Sequence, residues 1–148
     1  MQSESGVIQI EGGCHCKAVR YKTWSPPRIT VYKCNCSICH MKQNHHFMVK
    51  KSDVEIAPDG LEAMKTYTFN TCIAKLLFCG TCGVCPFYSP RSNPDCWAIT
   101  IYCVDDWKKV FPQNNIEWIE FDGQNWESEY AQSDIKKHSS SLINKNDI

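Results

Sequence analysis

The sequence predicts a mainly β domain of short antiparallel sheets held together by metal–cysteine knuckles. Three observations carry this: ten short runs with period-2 alternation or β-branched and aromatic enrichment, turn-forming residues between them, and eleven cysteines in 148 residues. The runs fall at 7–10, 18–24, 29–34, 46–50, 53–57, 64–69, 73–78, 84–89, 97–102 and 116–121. Gly12-Gly13, Ser25-Pro26-Pro27, Pro58-Asp59-Gly60, Ser92-Asn93-Pro94 and Asp122-Gly123 punctuate them. Connections this short suit antiparallel meanders and leave no space for the crossover helices of a parallel α/β sheet. Helix is predicted only as single turns after Cys36 and over 105–109, where Asp105 and Asp106 complement a helix N-terminus. Residues 1–6 read as a lead-in and 7–130 as the working domain. Residues 131–148, polar with few apolar side chains, read as a flexible tail.

Charge excludes several function classes. Sixteen Lys and Arg balance sixteen Asp and Glu, so no global field draws in nucleic acid or an anionic membrane, and Lys136-Lys137-His138 is too short for a basic patch. No stretch approaches the roughly 18 apolar residues of a spanning helix. The opening MQSESGVIQIEGG lacks the basic and apolar regions of a secretory signal, which predicts a reducing, cytoplasmic setting. In such a setting dense cysteines imply metal binding or catalysis rather than a disulfide framework.

Three clusters organise the cysteines: Cys14-x-Cys16, Cys34-x-Cys36-x-x-Cys39 and Cys79-x-x-Cys82-x-x-Cys85. Two thiolates from one tight turn reach a single tetrahedral zinc ion with little distortion, and Gly80 and Gly83 stand where a knuckle favours positive φ. If Cys14 and Cys16 join Cys79 and Cys82, that site is closed. Cys34, Cys36 and Cys39 then offer three ligands and leave one position for water or substrate, unless Cys85 or Cys103 supplies a fourth. Two rival readings are weaker. Cys36-Ser37-Ile38-Cys39-His40 has the c-type haem spacing but no export signal, and the ferredoxin-like run at 79–85 lacks its final Cys-Pro, having Ser89 before Pro90. Cys72, Cys85, Cys96 and Cys103 read as small buried hydrophobes.

The segments Gly12-Gly13-Cys14-His15-Cys16-Lys17-Ala18-Val19-Arg20-Tyr21, Cys34-Asn35-Cys36-Ser37-Ile38-Cys39 and Phe78-Cys79-Gly80-Thr81-Cys82-Gly83-Val84 resemble the glutathione-dependent formaldehyde-activating enzyme family. The likeness extends to Cys103-Val104-Asp105 and Phe121-Asp122-Gly123-x-x-Trp126-Glu127. Segments at 43–47, 67–71 and 87–94 are most similar to the animal branch containing centromere protein V. The resemblance implies a β-tent and two zinc ions, one structural on Cys14, Cys16, Cys79 and Cys82 and one catalytic on Cys34, Cys36 and Cys39. It also implies glutathione or another small thiol as partner, and carbon–sulfur lyase chemistry. By the same likeness a nuclear location is an alternative to the cytoplasm, and a noncatalytic zinc-stapled interaction module is the alternative function.

Three thiolates make zinc a weak Lewis acid, so thiolate delivery is the expected role of the trio. His45 and His46 are the candidate bases, with His46 preferred as catalytic. Arg91 is the candidate partner for a glutathione carboxylate, and Asn93 could add amide hydrogen bonds. Trp97, Trp118 and Trp126 are expected to fill the core.

Overall fold

The computed structural model describes residues 6–139. Ten strands form: β1 (Ile8–Gly13), β2 (Arg20–Ser25), β3 (Ile29–Cys34), β4 (His46–Lys50), β5 (Val54–Ile56), β6 (Met64–Thr68), β7 (Lys75–Cys79), β8 (Phe87–Ser89), β9 (Cys96–Thr100) and β10 (Ile116–Phe121). Each corresponds to one predicted run. Four short helices join them: α1 (Ser37–Lys42), α2 (Pro58–Ala63), α3 (Trp107–Val110) and α4 (Trp126–Gln132). The segment at 58–60 was expected as a simple turn, but Pro58 sits at a helix start, where its fixed φ and missing N–H cost nothing. No helix among the described residues is long and apolar enough to cross a membrane.

The strands build two sheets, a three-stranded one ordered β1-β2-β5 and a seven-stranded one ordered β10-β3-β4-β9-β8-β7-β6. Side-chain parity divides the larger sheet into two faces. Phe47, Val49, Phe87 and Ile99 project toward Ile10, Val19 and Tyr21, forming the main core between the sheets. Tyr32 instead meets Phe121 and Ile135, with Met48 and Trp126 packed against them, in a second cluster.

One pairing differs from the antiparallel expectation. β10 runs parallel to β3, with Ile116 opposite Ile29 and Phe121 opposite Cys34. Parallel strands finish at the same edge, so the turn after β10 is delivered beside Cys34-Asn35-Cys36. The Asn35 N–H donates to the Phe121 carbonyl at 3.1 Å. The Asn35 amide donates to Asp122 Oδ1 at 3.0 Å, and its Oδ1 accepts the Gln124 N–H at 3.1 Å.

The tail expected from residue 131 is folded as far as Ser139; residues 1–5 and 140–148 of the expected lead-in and tail lie outside the described residues. Residues 131–132 complete α4, and Ile135–Ser139 forms a 3-10 turn with Ile135 and His138 buried. The Tyr32 hydroxyl and His138 Nε2 lie 2.9 Å apart. Cys96 donates to the His138 carbonyl at 3.2 Å. Two buried side chains, Ile135 and His138, dock the turn within a stretch that reads as polar by composition.

Burial depresses the His138 pKa from the ordinary 6.5 to about 4. Between those values the unfolded chain takes up a proton that the folded one refuses, so stability falls as pH drops through this window. Lowering the pH from 7 to 5 is therefore expected to loosen the 135–139 turn by on the order of 1 kcal/mol. A fall in amide protection factors confined to that turn, with each exchange rate referred to its intrinsic value at the same pH, and absent in His138→Gln, would report it; pH-independent protection contradicts the neutral buried ring.

Candidate metal centres

Cys14 and Cys16 lie in the turn leaving β1, and Cys79 and Cys82 lie at the end of β7 and in the knuckle after it. Folding places all four sulfurs within 4.8 Å of one another. The Cys14–Cys16 and Cys16–Cys79 sulfur separations are both 3.6 Å. A tetrahedral ion with sulfur ligands at about 2.3 Å sets a sulfur–sulfur edge of about 3.8 Å, so the quartet has the dimensions of a zinc site and not of a disulfide. Backbone N–H groups of Val19 and Thr81 point at the Cys14 and Cys79 sulfurs, at 3.3 and 3.4 Å. The Cys16 N–H is the leading cause that pulls Cys82 down to about 6. These donors stabilise thiolates, the form that binds metal. Of the two knuckle glycines expected at positive φ, only Gly83 has it, at +76°.

The second set is assembled from Cys34 at the end of β3, Cys36 at the N-cap of α1 and the buried Cys39 within α1. Their sulfurs also lie within 4.8 Å of one another, and among the described residues no fourth Cys, His, Asp or Glu joins them. Cys85 is spent elsewhere: its buried thiol faces the Leu77 and Phe87 carbonyls at 3.1 and 3.4 Å. The Cys103 thiol is pushed up to about 12, first by burial and then by Cys85, Cys14 and Cys82, which places it on the quartet's side. Within the trio the first proton leaves Cys36. Hydrogen bonds from Cys34 and Cys39, then the N–H groups of Cys39 and Ile38, hold its pKa far below the thiol range. Cys34 is pushed up to about 11 by its bond to Cys36, and Cys39 is raised by both partners. Three thiols sharing protons this closely form a donor set suited to a cation. Gly123 is required beside them, because a Cβ there would lie 2.5 Å from the Cys34 sulfur and 2.8 Å from Cys36 Cβ.

The trio opens on a cavity of about 140 Å³ between the larger sheet and the C-terminal segment, walled by Tyr32, His46, Tyr88, Arg91 and Trp126. His46 is 3% exposed, and its Nε2 has no hydrogen-bond partner. Burial pushes its pKa down to about 4, so the ring is neutral at pH 7. Its ring stacks on Tyr88 with centroids 5.4 Å apart and planes 17° off parallel. The two rings belong to β4 and β8, and the strand between them, β9, carries the small Ala98 opposite Met48 and Tyr88. His45 has a different setting, with its Nδ1 2.8 Å from the Tyr102 hydroxyl.

The polar candidates separate as well. Arg91 lines the cavity, with its guanidinium carbon 3.8 Å from the Trp126 ring centroid and its Nη2 donating to Glu127 Oε1 at 2.6 Å. Asn93 does not line it. Its amide is fully buried and donates to the Ile135 carbonyl at 3.0 Å and Ser139 Oγ at 2.8 Å, so it anchors the C-terminal turn. Cys85 and Cys96 are buried as expected, whereas Cys72 is exposed on a loop with φ +59° and Cys103 is half-buried. Of the tryptophans, Trp97 packs against the core and Trp126 forms cavity wall, but Trp118 is 39% exposed on edge strand β10, with Lys33 over its ring. Sequence reasoning missed Tyr32, Tyr88 and Gly123 as site residues. Alternation along β3 and β8 could have paired Tyr32 and Tyr88 with His46.

A mainly β frame with one complete and one three-membered set of cysteines defines a protein whose two sulfur clusters could each hold a metal ion. The chain belongs to the glutathione-dependent formaldehyde-activating enzyme family, whose profile matches residues 9–120. It is also similar to the crystal structure of a Rhodobacter sphaeroides protein solved as a structural genomics target. That match has a TM-score of 0.59 and 27% identity, and covers 74% of this chain and 99% of that one.

The two centres should respond differently to mutation. Cys79→Ser is expected to halve the bound zinc and to lower the melting temperature by 10 °C or more, on the order of 2–3 kcal/mol for a domain of this size, because it opens the site joining the two sheets. Cys34→Ser and Gly123→Ala should also lose one zinc yet melt close to the parent. Metal analysis beside calorimetry checks this; full zinc in Cys34→Ser contradicts the second site.

Proposed function

We propose that this protein is a zinc-dependent enzyme of the carbon–sulfur lyase type, making or breaking a C–S bond in an adduct of glutathione or a similar small thiol. The observation that carries this reading is the contrast between the two centres: four sulfurs close the first, while three sulfurs of the second border a cavity. Family membership supports glutathione as the thiol and formaldehyde as its electrophile. Zinc is assigned to both centres, structural on Cys14, Cys16, Cys79 and Cys82 and catalytic on Cys34, Cys36 and Cys39. A zinc ion held by the trio supplies positive charge that favours the thiolate form of a substrate sulfur.

The chain's own residues provide the remainder. In the forward direction a C–S bond forms between the thiol sulfur and the aldehyde carbon, the carbonyl π bond breaks, and the thiol proton ends on the former carbonyl oxygen. His46 Nε2 is a buried polar atom of the cavity wall with no hydrogen-bond partner among the described residues, and we assign it the transfer of that proton. The neutral ring accepts the thiol proton at Nε2, and the imidazolium so formed, which burial makes acidic, gives it to the developing alkoxide. Stacking on Tyr88 fixes the orientation of the ring. Tyr32, Tyr88 and Trp126 keep bulk water from the reacting carbon, and Arg91 receives a substrate carboxylate. Within the family we place the chain in the animal branch that contains centromere protein V, on its segments at 43–47, 67–71 and 87–94. A reducing compartment, the cytoplasm, suits this thiol chemistry.

The test follows glutathione and formaldehyde by exchange NMR with the zinc-loaded protein. The parent is expected to speed interconversion with S-hydroxymethylglutathione well above the spontaneous rate, and Cys34→Ser to return it to background. If the parent gives no acceleration, and its cobalt-substituted form shows no spectral response to glutathione, the chain is a zinc-stapled interaction module instead.

A further inference from the structure

The cavity wall carries one cation and, among the described residues, no carboxylate. That cation, Arg91, is prepared for a planar anion in two ways. Its guanidinium lies against the face of Trp126 at 3.8 Å, and Trp126 in turn stacks on Tyr130 with centroids 4.7 Å apart and planes 11° off parallel. Lys136 caps the far side of Tyr130 at 4.6 Å, so the guanidinium plane is set by a column of two rings between two cations. A stacked guanidinium keeps its five N–H donors at its edge, where a carboxylate can engage two of them.

Among the described residues only one of those donors is engaged. Arg91 Nη2 donates to Glu127 Oε1 at 2.6 Å, a contact through one carboxylate oxygen. The Glu127 side chain is 78% exposed, while that of Arg91 is 33% exposed. The acid therefore reaches in from solvent and can swing back to it with little loss of packing. Glu127 follows Trp126 directly in the first turn of α4, so the residue that orients the guanidinium also tethers the carboxylate occupying it.

We propose that Glu127 is a built-in competitor for the Arg91 fork, displaced by the carboxylate of an incoming ligand, so that the cavity selects thiols and thiol adducts that carry a carboxylate. This rests on the reading of the trio as a thiol site and adds what decides which thiols enter. A neutral thiol leaves the Arg91–Glu127 pair intact and gains nothing from it. A carboxylate-bearing thiol exchanges a contact through one oxygen for a two-oxygen contact at a surface whose other wall, the trio, holds the sulfur. The exchange makes and breaks no covalent bond. Because the displaced pair is a rim ion pair, its competition is small, about two- to fivefold in affinity.

Calorimetric titration of the zinc-loaded full chain with glutathione and with glutathione diethyl ester separates the contributions. The two probes share a thiol and differ in their carboxylates. The parent is expected to bind glutathione more tightly than the ester. Glu127→Gln should tighten glutathione about two- to fivefold and leave the ester unchanged, and Arg91→Gln should bring the two probes to the same affinity. The proposal is overturned if Glu127→Gln leaves glutathione unchanged or shifts both probes equally, or if the parent does not distinguish them. Glu127→Gln alters an exposed side chain, so it remains informative if Arg91→Gln, which unstacks Trp126, fails to fold. Should neither probe bind the parent, the thiol-site reading itself fails, an outcome distinct from binding both probes without preference.

Discussion

Seven thiols in two groups, with sulfurs in each closer than 5 Å, are the constraint on which the rest of this structure depends. Thiolates at that spacing repel one another unless a cation lies between them, and the larger group comes from segments far apart in the chain. In the quartet, positions 14 and 16 meet positions 79 and 82, so one centre joins the end of the three-stranded sheet to the end of a strand in the seven-stranded one. A strand-rich chain dominated by non-local contacts loses considerable chain entropy in bringing such segments together. A metal bond of order 10 kcal/mol is large enough to offset much of that loss. The trio uses the same chemistry over a short loop, where little entropy is at stake, and its ligands remain at the border of a cavity.

Strand parity then determines what surrounds the open side of the trio. Phe47 and His46 are neighbours in β4, yet one is buried in the core between the sheets and the other faces the cavity. The parallel pairing of β10 with β3 adds the third wall, because it finishes both strands at one edge and lays Asp122-Gly123 against the trio. The α4 segment and the turn after it complete the enclosure. The site is thus a consequence of strand direction and register as much as of the cysteines themselves.

The strands and the cysteine groups that could hold a metal were legible in the sequence, and for different reasons. Alternation along β3, β4 and β10 is local, so 29–34, 46–50 and 116–121 match the observed strands residue for residue. Counting closely spaced cysteines permitted the partition and left Cys85 and Cys103 open as further ligands; the structure groups the sulfurs four and three, and turns Cys85 toward two backbone carbonyls. What was not legible depends on contacts distant in sequence. The direction of β10 relative to β3 has no local signature. Asn93 reads as a polar loop residue until the turn at 135–139 covers it, and that turn reads as tail until Ile135 meets Tyr32. Cys72 and Trp118 are exposed where their residue types suggested burial; Cys72 lies in the loop between β6 and β7, and Trp118 lies on the edge strand β10.

The docked C-terminal turn separates two properties of this fold. The family profile ends at residue 120, whereas Phe121, Gly123, Trp126 and Ile135 all border the cavity, and none of them is a metal ligand. Gly123 and Phe121 are bound to the trio, the first by its missing side chain and the second by its pairing with Cys34, whereas Trp126 belongs to neither sulfur cluster and lies beyond β10. The cavity is thereby modular in part: Trp126 and Ile135, which follow the last strand, form a replaceable sleeve around a frame fixed by sulfur, while Tyr32, His46, Tyr88 and Arg91 line it from earlier in the chain.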